Sequence, residues 1–272
     1  GHLPGGLGIA TVFACAIFAA ISGSSVATAV TIGAMAIPEM LKRGYERKAV
    51  LGTVAAGGTL GILIPPSIPM ILYGSITGES VGKLFLSGIM PGVLLTLLFI
   101  IYVVFQSRHM EKQAAASWAE RFQVLRETVW GLLLPIIVVG GIYTGLFTPT
   151  EAAAVGTVYS IIITFFVYRS VTLADLPEIL VETVKTTSMI FAIMIGAMLF
   201  GFILTVLQVP QALMHIVTDA EMNRWFVFVG INIVLLILGC VLETVSIILI
   251  TLPMIYPIVK HLGFDLIWFN VI

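Results

Sequence analysis

The chain has 272 residues, 59% of them hydrophobic and only 10% charged, with a formal net charge of −1. No soluble domain of this size hides so much apolar surface, so composition excludes one and indicates an all-α, polytopic membrane protein. A near-neutral balance without a basic stripe also argues against nucleic acid as a partner.

Charge-free runs locate the membrane segments at 1–38, 49–78, 84–107, 128–150, 152–168, 186–218, 225–242 and 244–259. A helix needs about 20 residues to cross a core about 30 Å thick. Segment 1–38 is too long for one crossing and too short for two with a loop. The cluster Ser22-Gly23-Ser24-Ser25 divides it into arms of about 14 residues, each reaching roughly 20 Å, so a re-entrant hairpin is expected. Segment 49–78 crosses once, with an unwound middle expected from Gly57 to Pro69. Runs 84–107, 128–150 and 152–168 each cross once. A further crossing starts near Leu180 and ends at the turn Gln208-Val209-Pro210. Residues 225–259 repeat the first pattern: two apolar arms flank Glu243-Thr244-Val245-Ser246, and a second hairpin is expected. Two stretches, Glu111 to Glu127 and Thr172 to Lys185, mix apolar and charged residues and fit either interfacial helices or solvated connections.

Basic residues orient these segments. Lys42, Arg43, Arg47 and Lys48 mark one cytoplasmic loop; Arg108, Lys112, Arg121 and Arg126 mark another. Two crossings separate them, so the assignments agree. Five crossings separate the hairpins, which places their entries on opposite faces, the pattern of an inverted repeat. A faint sequence trace accompanies it at an offset of 219: Val26 with Val245, Met35 with Met254, Pro38 with Pro257, Gly44 with Gly263 and Tyr45 with Phe264. On that offset a partner for Pro65-Pro66 would fall at about position 284. The expectation is a chain truncated at both ends, since it starts within one apolar run and ends at the start of another.

Several residues carry possible chemistry. Ser22, Ser24, Ser25 and Thr28 supply hydroxyls at the first turn, and Gly23 permits backbone conformations closed to other residues. Helix termini there expose carbonyls for a cation and amides for an anion. Small-residue packing is the plainer alternative. In Gly57-Gly58-Thr59 and Gly61 to Ser67, adjacent prolines remove two donors, and Pro65 pushes Ile64 out of helical geometry. The carbonyls of Gly58, Gly61 and Ile64 are then suitable hard ligands for sodium, and a neutral oxygen cage suits a monovalent cation better than a transition metal. A kinked, packed helix is the alternative. Glu243 is the sole ionisable residue in 225–259, and fits either cation or proton binding or a capping role. Glu151 reads as structural, beside a helix start capped by Thr150. Cys15 and Cys240 read as buried small residues. His2, His109, His215 and His261 lack metal-ligand spacing.

The segments I-S-G-S-S-V-A-T-A (21–29), G-T-L-G-I-L-I-P-P-S-I-P-M (58–70), G-I-M-P-G (88–92) and L-F-T-P-T-E-A-A-A-V-G (146–156) carry a resemblance spanning nearly the whole chain. Together they resemble the large membrane subunit of tripartite ATP-independent periplasmic (TRAP) transporters, the DctM-type permeases. The resemblance implies an elevator-type secondary transporter in the bacterial inner membrane. It implies sodium as coupling ion with no other cofactor, and carboxylate substrates such as C4-dicarboxylates, sialic acids or keto acids. It also implies two partners, a small membrane subunit and a periplasmic substrate-binding protein. Sodium binding falls to Ser22, Ser25, Gly58, Gly61, Ile64 and Pro66. Substrate binding falls to Ser22, Gly23, Ser24, Ser25, Thr28, Glu243, Thr244 and Ser246. The family often has Asp or a smaller residue near Glu243. The expected division is a first transport region at 1–78, a scaffold at 79–224 and a second, incomplete transport region at 225–272.

Three rivals remain at this stage. A stand-alone carrier with similar hairpins would need no binding protein. An intramembrane serine hydrolase using Ser24 or Ser25 needs a base within reach, and no histidine falls at mid-membrane. A channel would not require paired helix breaks.

Overall fold

The computed structural model describes residues 5–108, 118–219 and 222–272. Every regular element among them is helical. Hydrocarbon demands this, because a helix satisfies its own backbone without water. Among the described residues, six stretches are long and apolar enough to cross a membrane: Arg47–Thr77, Val81–Gln106, Phe122–Tyr143, Pro149–Val167, Leu176–Val206 and Thr244–His261. The chain is therefore an all-α, multi-pass membrane protein. It forms two compact units, one of Gly1–Met70 with Val81–Ser170, the other of Ile71–Ser80 with Val171–Asn270.

In the first unit, α1 (Gly6–Ser22), α2 (Ser25–Lys42) and α3 (Arg47–Leu63) pack on one another, and α5 (Val81–Gln106) lies against α1 and α3. The contacts are close because the facing residues are small. A Cβ on Gly57 would meet Cys15 Sγ at 2.6 Å, and one on Gly58 would meet the Ala29 Cβ at 2.7 Å. Cys15, Ala19, Ile32 and Leu60 form the buried centre. Thr28, Thr53, Ser67 and Thr96 are buried with them, while Met90, Leu94, Leu98 and Phe105 of α5 are exposed. Small and hydroxylated side chains inside with large apolar ones outside is the packing expected when lipid, not water, is the solvent.

The hairpin arms exceed the expected 14 residues. α1 has 17 and α2 has 18. The charge-free run underestimates α2 because the helix continues through Pro38 into Glu39 and Lys42. The unwound segment is, conversely, shorter than expected. α3 stays helical through Gly57, Gly58 and Gly61, and only Ile64–Ser67 separates it from α4 (Ile68–Thr77). Glycine alone tolerates a helix; the break begins where Pro65 forces Ile64 to an extended φ of −81° and ψ of 123°.

α6 (Trp118–Tyr143) pairs with α7 (Pro149–Ile162), which passes into a π-helical turn, Ile163–Val167. The cap of α7 is Thr148, not Thr150. Pro149 fixes the first helical position, so the capping box forms between Thr148 and Glu151. The Thr148 N–H donates to Glu151 at 2.8 Å, and the Glu151 N–H donates to Thr148 Oγ1 at 3.3 Å.

The second unit holds α8 (Leu176–Val206), α9 (Val209–Asp219), α10 (Arg224–Gly239), α11 (Thr244–His261) and α12 (Leu266–Val271). α8 begins at Leu176 rather than near Leu180. It runs unbroken for 31 residues, about 46 Å, so 176–185 is its first turns and not a separate flat helix. α6 likewise absorbs 118–127; the stretch 111–117, with Lys112, and positions His2 and His109 lie outside the described residues. α9 was not expected; a turn at Gln208, φ 55°, separates it from α8. Trp225, Phe228, Phe264 and Trp268 stack into one aromatic cluster joining α10 to α12.

The faint repeat is sharp in backbone terms. α2 and α11 each have 18 residues, offset by 219. Their N-caps are Ser24 and Glu243. Past their ends Gly44 and Gly263 share left-handed φ values of 78° and 71°. Tyr45 and Phe264 then donate back to Met40 and Val259 at 3.2 and 3.3 Å. The caps of the following helices, Glu46 and Asp265, keep the same offset. A C-terminal αL glycine with a 6→1 return bond is a Schellman stop, and here it occurs twice in register.

Candidate functional site

The site is built where the first hairpin turns. α1 stops because Gly23 adopts a left-handed φ of 62° and returns its N–H to the Ala19 carbonyl at 3.0 Å. Ser24 is extended and caps α2 by accepting the Ala27 N–H. Only Gly23 and Ser24 lie between the arms, so the turn is tight.

Three oxygens converge there. Thr28 Oγ1 donates to the Ser24 carbonyl at 2.7 Å and lies 3.0 Å from Ser22 Oγ. Ser22 Oγ in turn lies 3.4 Å from the Ser24 carbonyl oxygen. Thr28 is fully buried.

The helix break docks on this turn. The Ile68 N–H donates to the Gly23 carbonyl at 3.2 Å. A Cβ on Gly23 would sit 2.7 Å from the Pro66 carbonyl oxygen. One on Gly61 would sit 2.4 Å from the Ser24 carbonyl oxygen and 2.8 Å from Thr28 Oγ1. Gly58 faces Ser25, whose carbonyl oxygen would lie 3.2 Å from an added Cβ. The structure thus brings together Ser22, Gly23, Ser24, Ser25, Thr28, Gly58, Gly61, Ile64 and Pro66, with no ionisable group among them.

The carbonyls of this segment are not equivalent. Gly58 lies inside α3, where the N–H four residues on is available, so it is not freed as the sequence reading expected. Gly61 faces Pro65, which has no N–H to give. Ile62 faces Pro66, and the Ser67 hydroxyl donates to its carbonyl instead at 2.5 Å. The peptide between Pro65 and Pro66 is cis.

Sequence reasoning missed two contributors. Ser67 is fully buried and replaces the donor that Pro66 removed. Its signal was legible, a hydroxyl directly after a proline pair. Gly88 and Gly92 of α5 form the floor: an added Cβ would meet the Leu63 carbonyl oxygen at 2.5 Å and Ile64 Cγ1 at 2.9 Å, respectively. Their four-residue spacing is the mark of close helix approach in membranes.

In the second unit, Glu243 caps α11: its carboxylate accepts the Val245 N–H at 2.9 Å, and its carbonyl accepts the Ile247 N–H at 3.1 Å. Thr244 and Ser246 are half-buried on either side of buried Val245. Cys15 is buried as expected. Cys240 is exposed at the second turn, which corrects the reading of it as buried.

Crossing helices, a tight hairpin turn and a proline-broken helix locked onto that turn are features shared with membrane transport proteins. The comparisons make the class specific. The family model described as the tripartite ATP-independent periplasmic transporter, DctM component, matches residues 1–272. The chain belongs to this family. It is 46% identical over 274 residues to the C4-dicarboxylate TRAP transporter large permease protein DctM of Pseudomonas aeruginosa, covering 100% of this chain and 64% of the relative. It is 38% identical over 268 residues to the ectoine/5-hydroxyectoine large permease UehC of Ruegeria pomeroyi, covering 97% and 62%. It is 36% identical over 273 residues to the sialic acid large permease SiaM of Vibrio cholerae, covering 100% and 64%. The chain therefore spans a little under two thirds of the length of these relatives.

Proposed function

We propose that the protein is the large membrane subunit of a sodium-coupled importer of organic acids in the bacterial inner membrane. The observation that carries this reading is the interlock of the first hairpin turn with the helix break. It gathers the Ser22 and Thr28 hydroxyls and the Ser24 carbonyl, with the Pro66 carbonyl close to Gly23 and Gly61 packed against Ser24, and none of these residues is charged. Neutral oxygens at this spacing suit a monovalent hard cation. Ser22, Ser25, Gly61, Ile64 and Pro66 supply the sodium ligands. Gly58 contributes by letting α2 approach.

Sodium here would tie the turn to α3 and α4. The N-terminus of α2, with its positive dipole end and the hydroxyls of Ser24 and Ser25, would then receive a substrate carboxylate. Gly23 and Thr28 shape that end. Glu243, Thr244 and Ser246 form the corresponding turn of the second hairpin, with Glu243 holding the start of α11. Relatives are named for C4-dicarboxylates, ectoine, 2,3-diketo-L-gulonate and sialic acid. An anionic substrate is the reading that the helix terminus favours.

In this reading the hairpin-bearing regions, 1–78 and 225–272, move against a scaffold within 79–224, in an inverted-repeat elevator. A small membrane subunit completes the assembly, and a periplasmic binding protein delivers the substrate. The second reading is a stand-alone anion carrier driven by sodium or protons. Uptake of radiolabelled carboxylates into proteoliposomes tests both, using the full-length large subunit with its small subunit. Uptake that requires sodium and the binding protein is expected. Equal uptake in potassium would overturn the coupling, and uptake without the binding protein would favour the stand-alone carrier.

A further inference from the structure

Outside the hairpin site, the most elaborated place in the first unit is the junction of α6 with the π-helical end of α7. The π-turn makes the Tyr168 N–H donate five residues back to Ile163 at 2.8 Å, and Arg169 follows with a left-handed φ of 51°. Such irregularities are uncommon in non-glycine backbone and collect at functional places. Here they bring Tyr168 onto α6, where its hydroxyl accepts the Gly131 N–H at 3.2 Å. Tyr159 adds a second strap, donating to the Trp130 carbonyl at 2.7 Å.

Beside these straps lies an open cavity of about 540 Å³, lined by Gln123, Arg126, Glu127, Trp130, Val167 and Tyr168. The four α6 residues fall at i, i+3, i+4 and i+7 and so share one face. The cavity joins a guanidinium to a carboxylate. Gln123 donates to one Glu127 oxygen at 3.0 Å, which steadies the carboxylate. Its depth is set by sequence. Glu127 is the last charge before the run 128–150, and Arg169 is the first after 152–168. Both helices therefore leave the hydrocarbon at this cavity, where tryptophan and tyrosine concentrate in membrane proteins.

We propose that this cavity is a binding site for a zwitterionic, amine-bearing glycerophospholipid. Arg126 takes the phosphate. Glu127 takes the ammonium. Trp130, Val167 and Tyr168 receive the glycerol and the first methylenes. The pairing of opposite charges, rather than a cluster of basic residues, selects a headgroup of phosphoethanolamine type over a purely anionic one. Bound there, the lipid would stiffen the α6–α7 pair. The site is independent of the sodium reading.

Native mass spectrometry of the full-length transporter in mild detergent tests it, with phosphatidylethanolamine, phosphatidylglycerol and phosphatidylcholine added in turn. Wild type should retain phosphatidylethanolamine preferentially. Arg126→Gln should lower retention of both phosphatidylethanolamine and phosphatidylglycerol about fivefold. Glu127→Gln should reduce the ethanolamine-to-glycerol preference about threefold or more by admitting the anionic lipid. A photoactivatable phosphatidylethanolamine should label the peptide containing Trp130. Size-exclusion profiles and melting temperatures identify variants that merely misfold. Headgroup-indifferent retention, or unchanged retention and preference in both folded variants, would overturn the proposal.

Discussion

At the residue scale, the decisive positions are those where no side chain fits. Gly61 faces a backbone carbonyl oxygen, Ser24, at a separation that an added Cβ reduces to 2.4 Å. Backbone cannot rotate away as a side-chain end can. Gly61→Ala should therefore separate the hairpin turn from α3 and lower sodium-driven uptake at least tenfold, with the protein still inserted in the membrane. Thr28 acts through its hydroxyl. Thr28→Val keeps the shape but removes the 2.7 Å hydroxyl donor and leaves the Ser24 carbonyl with the Thr28 N–H at 3.1 Å, a loss worth about 0.5–1.5 kcal/mol. The sodium concentration for half-maximal uptake should rise about tenfold, the equivalent of about 1.4 kcal/mol, and Thr28→Ser should restore most of it. An unchanged sodium dependence in a folded Thr28→Val transporter would show that the Thr28–Ser24 bond does not support the cation site. Much of this cluster was legible in sequence, because hydroxyls, glycine and paired prolines in an apolar run have few other uses. Ser67 was not read although its partner, the Ile62 carbonyl, is local, and the role of Gly88 was not read because it faces the Leu63 carbonyl of another helix.

At the element scale, helices stop where backbone chemistry stops them, not where charge appears. That is why α2 outruns its apolar run and α8 absorbs a charged stretch that looked interfacial. The entry to α8 offers a test. The Asp175 carboxylate accepts both the Thr172 hydroxyl and the Thr172 N–H at 2.7 and 2.8 Å, and these bonds hold it below the usual aspartate range. A depressed folded-state value means the contribution is fully present above the unfolded value of about 3.9 and is lost as pH falls through the lower folded value. The Thr172 amide resonance should therefore titrate below about pH 3.9 and stay flat in Asp175→Asn. A Thr172 shift that moves at ordinary aspartate pH would show that the bonds do not form. The paired stops at Gly44 and Gly263 belong to this scale too: residue identity kept only traces of the repeat, whereas cap positions and φ signs kept it whole.

At the scale of the whole molecule, the two cysteines report on each unit separately. Cys15 is walled in by α3 at Gly57, and Cys240 is exposed at the turn of the second hairpin. A small maleimide should label Cys240 and leave Cys15 unmodified in the native transporter. If the second turn takes part in the transport site, substrate with sodium should slow that labelling severalfold, and labelling indifferent to both would place Cys240 outside the site. The sequence by itself determined the solvent, the helical class and the helix-breaking turns, because each rests on composition or on local backbone chemistry that neighbours cannot override, and its motifs carried the resemblance that the family match bears out. The start of the break and the cap of α7 are also local, set by Pro65 and Pro149, although the charge-free runs did not show them. Only the tertiary structure decided where the π-turn brings Tyr168 onto α6 and what forms the floor under Ile64, because both need contacts between elements far apart in sequence.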